Sequence, residues 1–129
     1  MDNMFEGCPN FNQPLNDWNI SNVESMFCMF DGCPNFNQPL NDWNVSNVRR
    51  YMALMFRNFK FFNQPLNDWN VSNVEYMNSV FEGCPYFDQP LNGWNVSNVE
   101  TFDNICLMVV LILINQYIFT TDLNIIKHK

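Results

Sequence analysis

Three kinds of reactive side chain recur along this chain at fixed intervals. Carboxylates stand at Asp17, Asp42 and Asp68, amides at Asn19, Asn44, Asn70 and Asn95, and thiols at Cys8, Cys33 and Cys84. Lined up in columns, the Asp and Asn residues would form a polar, acidic recognition face. A calcium ladder would be the sharper version of that face. Calcium wants ~6–8 oxygens converging on one point, and a column offers about one carboxylate per turn, so no metal or other cofactor is expected. The same residues could equally satisfy loop backbone groups turn after turn. Phe59 replaces the cysteine in one copy, and no CxxC spacing occurs. These thiols therefore read as small apolar core groups rather than ligands or redox partners.

A second constellation is basic. Arg49, Arg50, Arg57 and Lys60 separate two stretches, 1–48 and 61–126, that contain no Lys or Arg. They could form a patch where a partner docks by charge, or they could record drift in a redundant copy. The net charge of −7 argues against a nucleic-acid partner. The single histidine, His128, sits beside the C-terminus, and no P-loop, dinucleotide loop or metal-ligand cluster occurs. Multiplied residues at equivalent positions are the wrong signature for a unique active site, so no enzyme activity is expected.

Behind these columns stands a repeat. FNQPLNDWNVSNV, residues 36–48, has counterparts opening at Phe11, Phe62 and Phe87, giving spacings of 25, 26 and 25 residues. A period of this size signals a solenoid. Trp18-Asn19-Ile20-Ser21 alternates apolar and polar residues and predicts a short strand, as do its copies at Trp43, Trp69 and Trp94. Ser21-x-x-Glu24, Ser72-x-x-Glu75 and Ser97-x-x-Glu100 match a helix capping box, and Val23, Met26, Phe27 and Phe30 fall at helical spacing. Gly32 and Pro34 then stop the predicted helix. FNQPL returns as a loop, because proline removes a donor. One unit's burial cannot offset the ordering of 25 backbones. Each copy must therefore bury the next. The expected fold is an α/β, leucine-rich-repeat-like solenoid of about four turns, with short parallel strands on one side and short helices on the other.

The pattern W-N-V-S-N-V-x-x-M-x-x-x-F-x-G-C-x-x-F-N-Q-P-L resembles the repeat of BspA-like leucine-rich-repeat surface proteins over roughly residues 1–106. That resemblance implies a stacked α/β solenoid and a surface or adhesive role, with no catalytic residues. The function expected is a non-enzymatic scaffold for protein–protein interaction or adhesion. Helix positions vary between copies (Glu24-Ser25, Arg49-Arg50, Glu75-Tyr76, Glu100-Thr101), so partner discrimination would lie on that side.

Residues 107–129 diverge from the repeat. Ile105 to Ile114 is an unbroken apolar run, short of the ~20 residues of a spanning helix. A membrane-attached surface protein using Ile105–Phe119 is the alternative. The first ten residues, MDNMFEGCPN, lack the pattern of a secretory signal, which makes an intracellular location the default expectation. The family resemblance points instead to the cell surface. Met1 to Phe5 match Met26 to Phe30, and no polar cap is evident at either end. The array therefore reads as a possible piece of a longer one.

Overall fold

Met1, Met26, Met52 and Met77 occupy one register position and open four successive coils, 1–25, 26–51, 52–76 and 77–101. The computed structural model describes residues 1–101 and Asp103. Backbone amides of one coil reach carbonyls of the next: Cys28 to Ala53 at 3.2 Å, Phe30 to Met55 at 3.1 Å and Gly32 to Arg57 at 2.9 Å. Asn3, Phe5 and Gly7 make the same bonds to Phe27, Met29 and Asp31.

Other amides close β-turns inside a coil. Met29 donates to Met26 at 3.2 Å, Cys33 to Phe30 at 3.1 Å, Trp43 to Leu40 at 3.0 Å and Val48 to Val45 at 3.0 Å. The third residue of the first two turns is left-handed, with φ of 57° at Cys28 and 73° at Gly32, as a type II turn requires. Leu54, Asn58, Ser79 and Gly83 repeat those two positions in the next coils. A side chain at Gly83 would strike Asn58 of the coil above, so the second position is sterically as well as conformationally tight.

These bonds overturn the expected α/β architecture of strands and helices. Among the described residues there is no α-helix, and strand pairing is limited to two isolated parallel bridges, Tyr51 to Tyr76 and Tyr76 to Thr101. The reason is geometric. Successive β-turns bring their first and fourth residues inward, so Met26, Met29, Phe30, Cys33 and Phe36 are all buried. That spacing overlaps the i, i+3, i+4 pattern of a helix face. The bridges fall where helices were expected, not at the Trp-Asn-Val-Ser segments.

Those segments stack through side chains. Trp43, Trp69 and Trp94 lie with ring centroids 6.4 Å apart and planes within 4°. Their indole N–H groups donate to the carbonyls of Leu15, Leu40 and Leu66, one coil back, at 2.9, 2.8 and 2.8 Å. Phe11, Phe36, Phe62 and Phe87 form a second column, with centroids 5.6, 6.4 and 6.1 Å apart. Phe5, Phe30, Phe56 and Phe81 form a third. All contribute to one core.

Proline makes the return segment poor in donors, and its amides compensate. The side-chain oxygens of Asn12, Asn37 and Asn63 accept the backbone N–H of Asn37, Asn63 and Asp88 at 2.9, 3.1 and 3.0 Å. Gln38, Gln64 and Gln89 donate to the carbonyls of the same asparagines. The constancy of F-N-Q-P-L thus has a structural cause, an amide ladder that splices coil to coil.

Candidate interaction groove

Each coil places the asparagine of its Ser-Asn-Val word beside the first variable residue after it. Asn47 and Arg49, Asn73 and Glu75, and Asn98 and Glu100 line one open groove of about 580 Å³ across coils 2 to 4. The asparagines are held in place, because Asn47, Asn73 and Asn98 each donate Nδ2–H to the carbonyl of Ser21, Ser46 and Ser72 in the preceding coil. Among the described residues, their side-chain oxygens carry no hydrogen bond. The groove therefore presents three oriented acceptors, two carboxylates and one guanidinium. This chemistry suits an extended, donor-rich ligand.

The backbone beneath is continuous. Arg49 N–H donates to the carbonyl of Glu24 at 3.1 Å, and Glu100 N–H to that of Glu75 at 2.7 Å. In coil 2 the extra residue creates a local bulge, where the carbonyl of Arg50 accepts both Glu75 and Tyr76 N–H at 3.3 and 2.8 Å. Arg50 then meets Glu75 at 3.5 Å. Both side chains are substantially exposed, so the pair contributes about 0–1 kcal/mol.

The other two bases of the expected patch, Arg57 and Lys60, each find their own environment. Arg57 grips Asp31 with two bonds, Nε to Oδ1 at 3.0 Å and Nη2 to Oδ2 at 2.6 Å. Asp31 is buried, and Glu6, Asp31, Arg57 and Glu82 share one register position. Arg57 thus offsets a column of acids that would otherwise repel, which gives this substitution a physical role that drift does not supply. Lys60 lies 5.2 Å from the ring centre of Phe61. Of the expected basic patch, Arg49 alone reaches the groove.

The expected acidic face is exposed, and most of its chemistry is turned inward. Asn19, Asn44, Asn70 and Asn95 each accept the backbone N–H of the serine two residues on at 3.1 Å. Ser21, Ser46 and Ser72 add their hydroxyl protons to the same oxygen at 2.7, 2.6 and 2.7 Å. These are Asx turns. The predicted capping boxes are corrected accordingly, because serine is the donor and asparagine supplies the accepting oxygen. Asp68 is bound by Asn41, which donates Nδ2–H to Oδ2 at 2.8 Å and accepts its backbone N–H at 3.1 Å. Asp17 and Asp42 are exposed.

Cys33 and Cys84 are buried, and each directs its thiol to a carbonyl one coil back, that of Phe5 or Phe56, at 2.8 Å. Cys8 is half-buried. Among the described residues, no group of three His, Cys, Asp or Glu is placed to hold a metal. Also among them, no helix is long and apolar enough to cross a membrane. The apolar segment Ile105–Phe119 and His128 lie outside the described residues.

Sequence reasoning missed Asn47, Asn73 and Asn98, because they sit inside the constant words. The signal that could have found them was the variable residue two positions later.

The architecture defines a class, a repeat protein of stacked, turn-built coils with a polar groove along one side. The chain belongs to the DUF285 family, described as a Mycoplasma protein of unknown function, whose model matches residues 1–109. No curated protein and no solved structure matches it.

Proposed function

We propose that this chain is a non-enzymatic interaction scaffold that holds an extended protein segment in the lateral groove of coils 2 to 4. One observation carries the reading: the groove is lined by the same two register positions in three successive coils. The first position is constant and structurally fixed, and the second changes from Arg49 to Glu75 and Glu100. A constant acceptor row suits the peptide backbone, and a variable charge row suits its side chains. The resemblance of the repeat to BspA-like surface-protein repeats supports adhesion as the setting.

The test is site-directed photo-cross-linking in the full chain against host extract. A cross-linker at position 75, in the middle of the groove, should capture a discrete partner, and one at position 44, on the Asx-turn wall, should not. Arg49→Glu combined with Glu100→Arg should abolish capture while leaving the melting temperature unchanged. Capture from position 44 alone, or capture indifferent to the charge swap, would place the interaction elsewhere.

A further inference from the structure

We infer that the lateral groove selects a polyproline-II segment carrying an acidic and a basic residue three positions apart, with proline between them. This deepens the interaction reading above and rests on it. Charge gives the first half of the pattern. Arg49, in coil 2, has no ion pair among the described residues. Glu75, in coil 3, lies 3.5 Å from Arg50, so the middle of the groove is close to neutral. In coil 4 the Tyr76 hydroxyl faces the Glu100 carboxylate, whose hydrogen bond and charge push the phenol pKa up. The groove is therefore positive at one end and negative at the other, and a ligand of opposite polarity complements it.

Spacing gives the second half. Backbone amides bridge adjacent coils directly beneath the groove, Arg49 to Glu24 at 3.1 Å and Glu100 to Glu75 at 2.7 Å. Such bonding sets neighbouring chains ~4.7–4.9 Å apart, so the two steps from Arg49 to Glu100 span ~9.4–9.8 Å. A β-strand presents the same face every second residue, ~6.6–6.8 Å, and matches neither one step nor two. An α-helix uses its amide donors internally and offers the asparagine acceptors nothing. A polyproline-II helix advances ~9.3 Å per three-residue turn and makes no internal hydrogen bonds. Its residues i and i+3 face Arg49 and Glu100 together, and their N–H groups face the Asn47 and Asn98 oxygens. The two residues between them meet no acceptor, so proline, which lacks the donor, fits there.

The flank of the groove supplies a surface for those prolines. Tyr51 and Tyr76 are joined by a parallel bridge, and their rings stack with centroids 5.2 Å apart. Tyr51 is 39% exposed, and Phe27 meets it edge-on at 6.2 Å, which lengthens the strip. Aromatic-lined grooves are the usual receivers of polyproline segments.

The experiment titrates a fluorescein-labelled peptide, Pro-Pro-Glu-Pro-Pro-Arg-Pro-Pro, with the full chain and follows anisotropy. It should bind roughly tenfold or more tightly than peptides of the same composition with Glu and Arg two or four positions apart. Arg49→Glu should weaken it by roughly the same factor and should strengthen binding of the peptide with Arg at both charged positions. Tyr51→Ser, which gives the position the residue that Ser25 supplies in coil 1, should weaken binding severalfold at an unchanged melting temperature. Equal binding at all three spacings, or indifference to Arg49→Glu or Tyr51→Ser, would overturn the inference. Tighter binding of a Glu and Arg peptide with Val and Thr in place of proline would overturn it and leave the groove reading intact. Failure of every peptide, with partner capture from position 75 retained, would do the same; failure of both would end the two readings together.

Discussion

Ser79 has a φ of 57°, and that one angle separates two accounts of its segment. A left-handed conformation costs an ordinary residue about 1–2 kcal/mol, and glycine adopts it freely at an entropic cost of about 0.5–1 kcal/mol. Ser79→Gly should therefore raise stability by about 0.5–1 kcal/mol in urea melts. In a helix interior the same change would lower stability by a similar amount, so the sign alone is diagnostic. Cys28 occupies the equivalent left-handed position in coil 2 and adds a pH dependence. Burial first, and the Asp31 carboxylate second, push its thiol up to about 11 from the ordinary 9.0. Between those values the native chain keeps a proton that the unfolded chain releases. The stabilising contribution is complete below pH 9.0 and is lost as pH rises through about 11, about 2–3 kcal/mol in all. Cys28→Ser should flatten that alkaline limb, as measured by urea melts from about pH 8 to about pH 11. Burial also raises the Cys33 thiol, which leaves a residual slope of the same sign.

Within a coil, the tryptophan columns and the Arg57 clasp contribute differently. Trp69 lies between two ring neighbours and donates to Leu40, so Trp69→Ala should cost about 3–5 kcal/mol. Trp18 is exposed, so Trp18→Ala should cost well under half of that in the same thermal melts. Arg57→Ala would leave the Asp31 carboxylate buried without its cation. Because Arg57 itself is partly exposed, the loss should be about 1–3 kcal/mol, with Arg57→Lys recovering part of it.

The repeat and its register were legible in the sequence, because Phe11, Phe36, Phe62 and Phe87 recur inside nearly identical words. The local structure was not. A first-and-fourth inward pattern from β-turns coincides over a few residues with a helical stripe, and nothing about Cys28 or Leu54 as residue types announces a left-handed backbone. Gly32 does announce one, but in sequence a helix exit and one of two such corners per coil give the same signal. The groove was half legible. Variation at Arg49, Glu75 and Glu100 is visible in the repeat, while Asn47, Asn73 and Asn98 sit inside its constant words.

At the scale of the whole molecule, the groove exists only if equivalent side chains lie one coil apart along a common axis. That depends on amides bonding between coils rather than along a helix. Through-hydrogen-bond NMR couplings in the isotope-labelled full chain measure this directly. The stacked-coil account predicts couplings from the amide of Cys28 to the carbonyl of Ala53, from Phe30 to Met55 and from Gly32 to Arg57. Couplings from Phe30 to the carbonyl of Met26, four residues back, would instead restore the helix and contradict the groove built upon the coils.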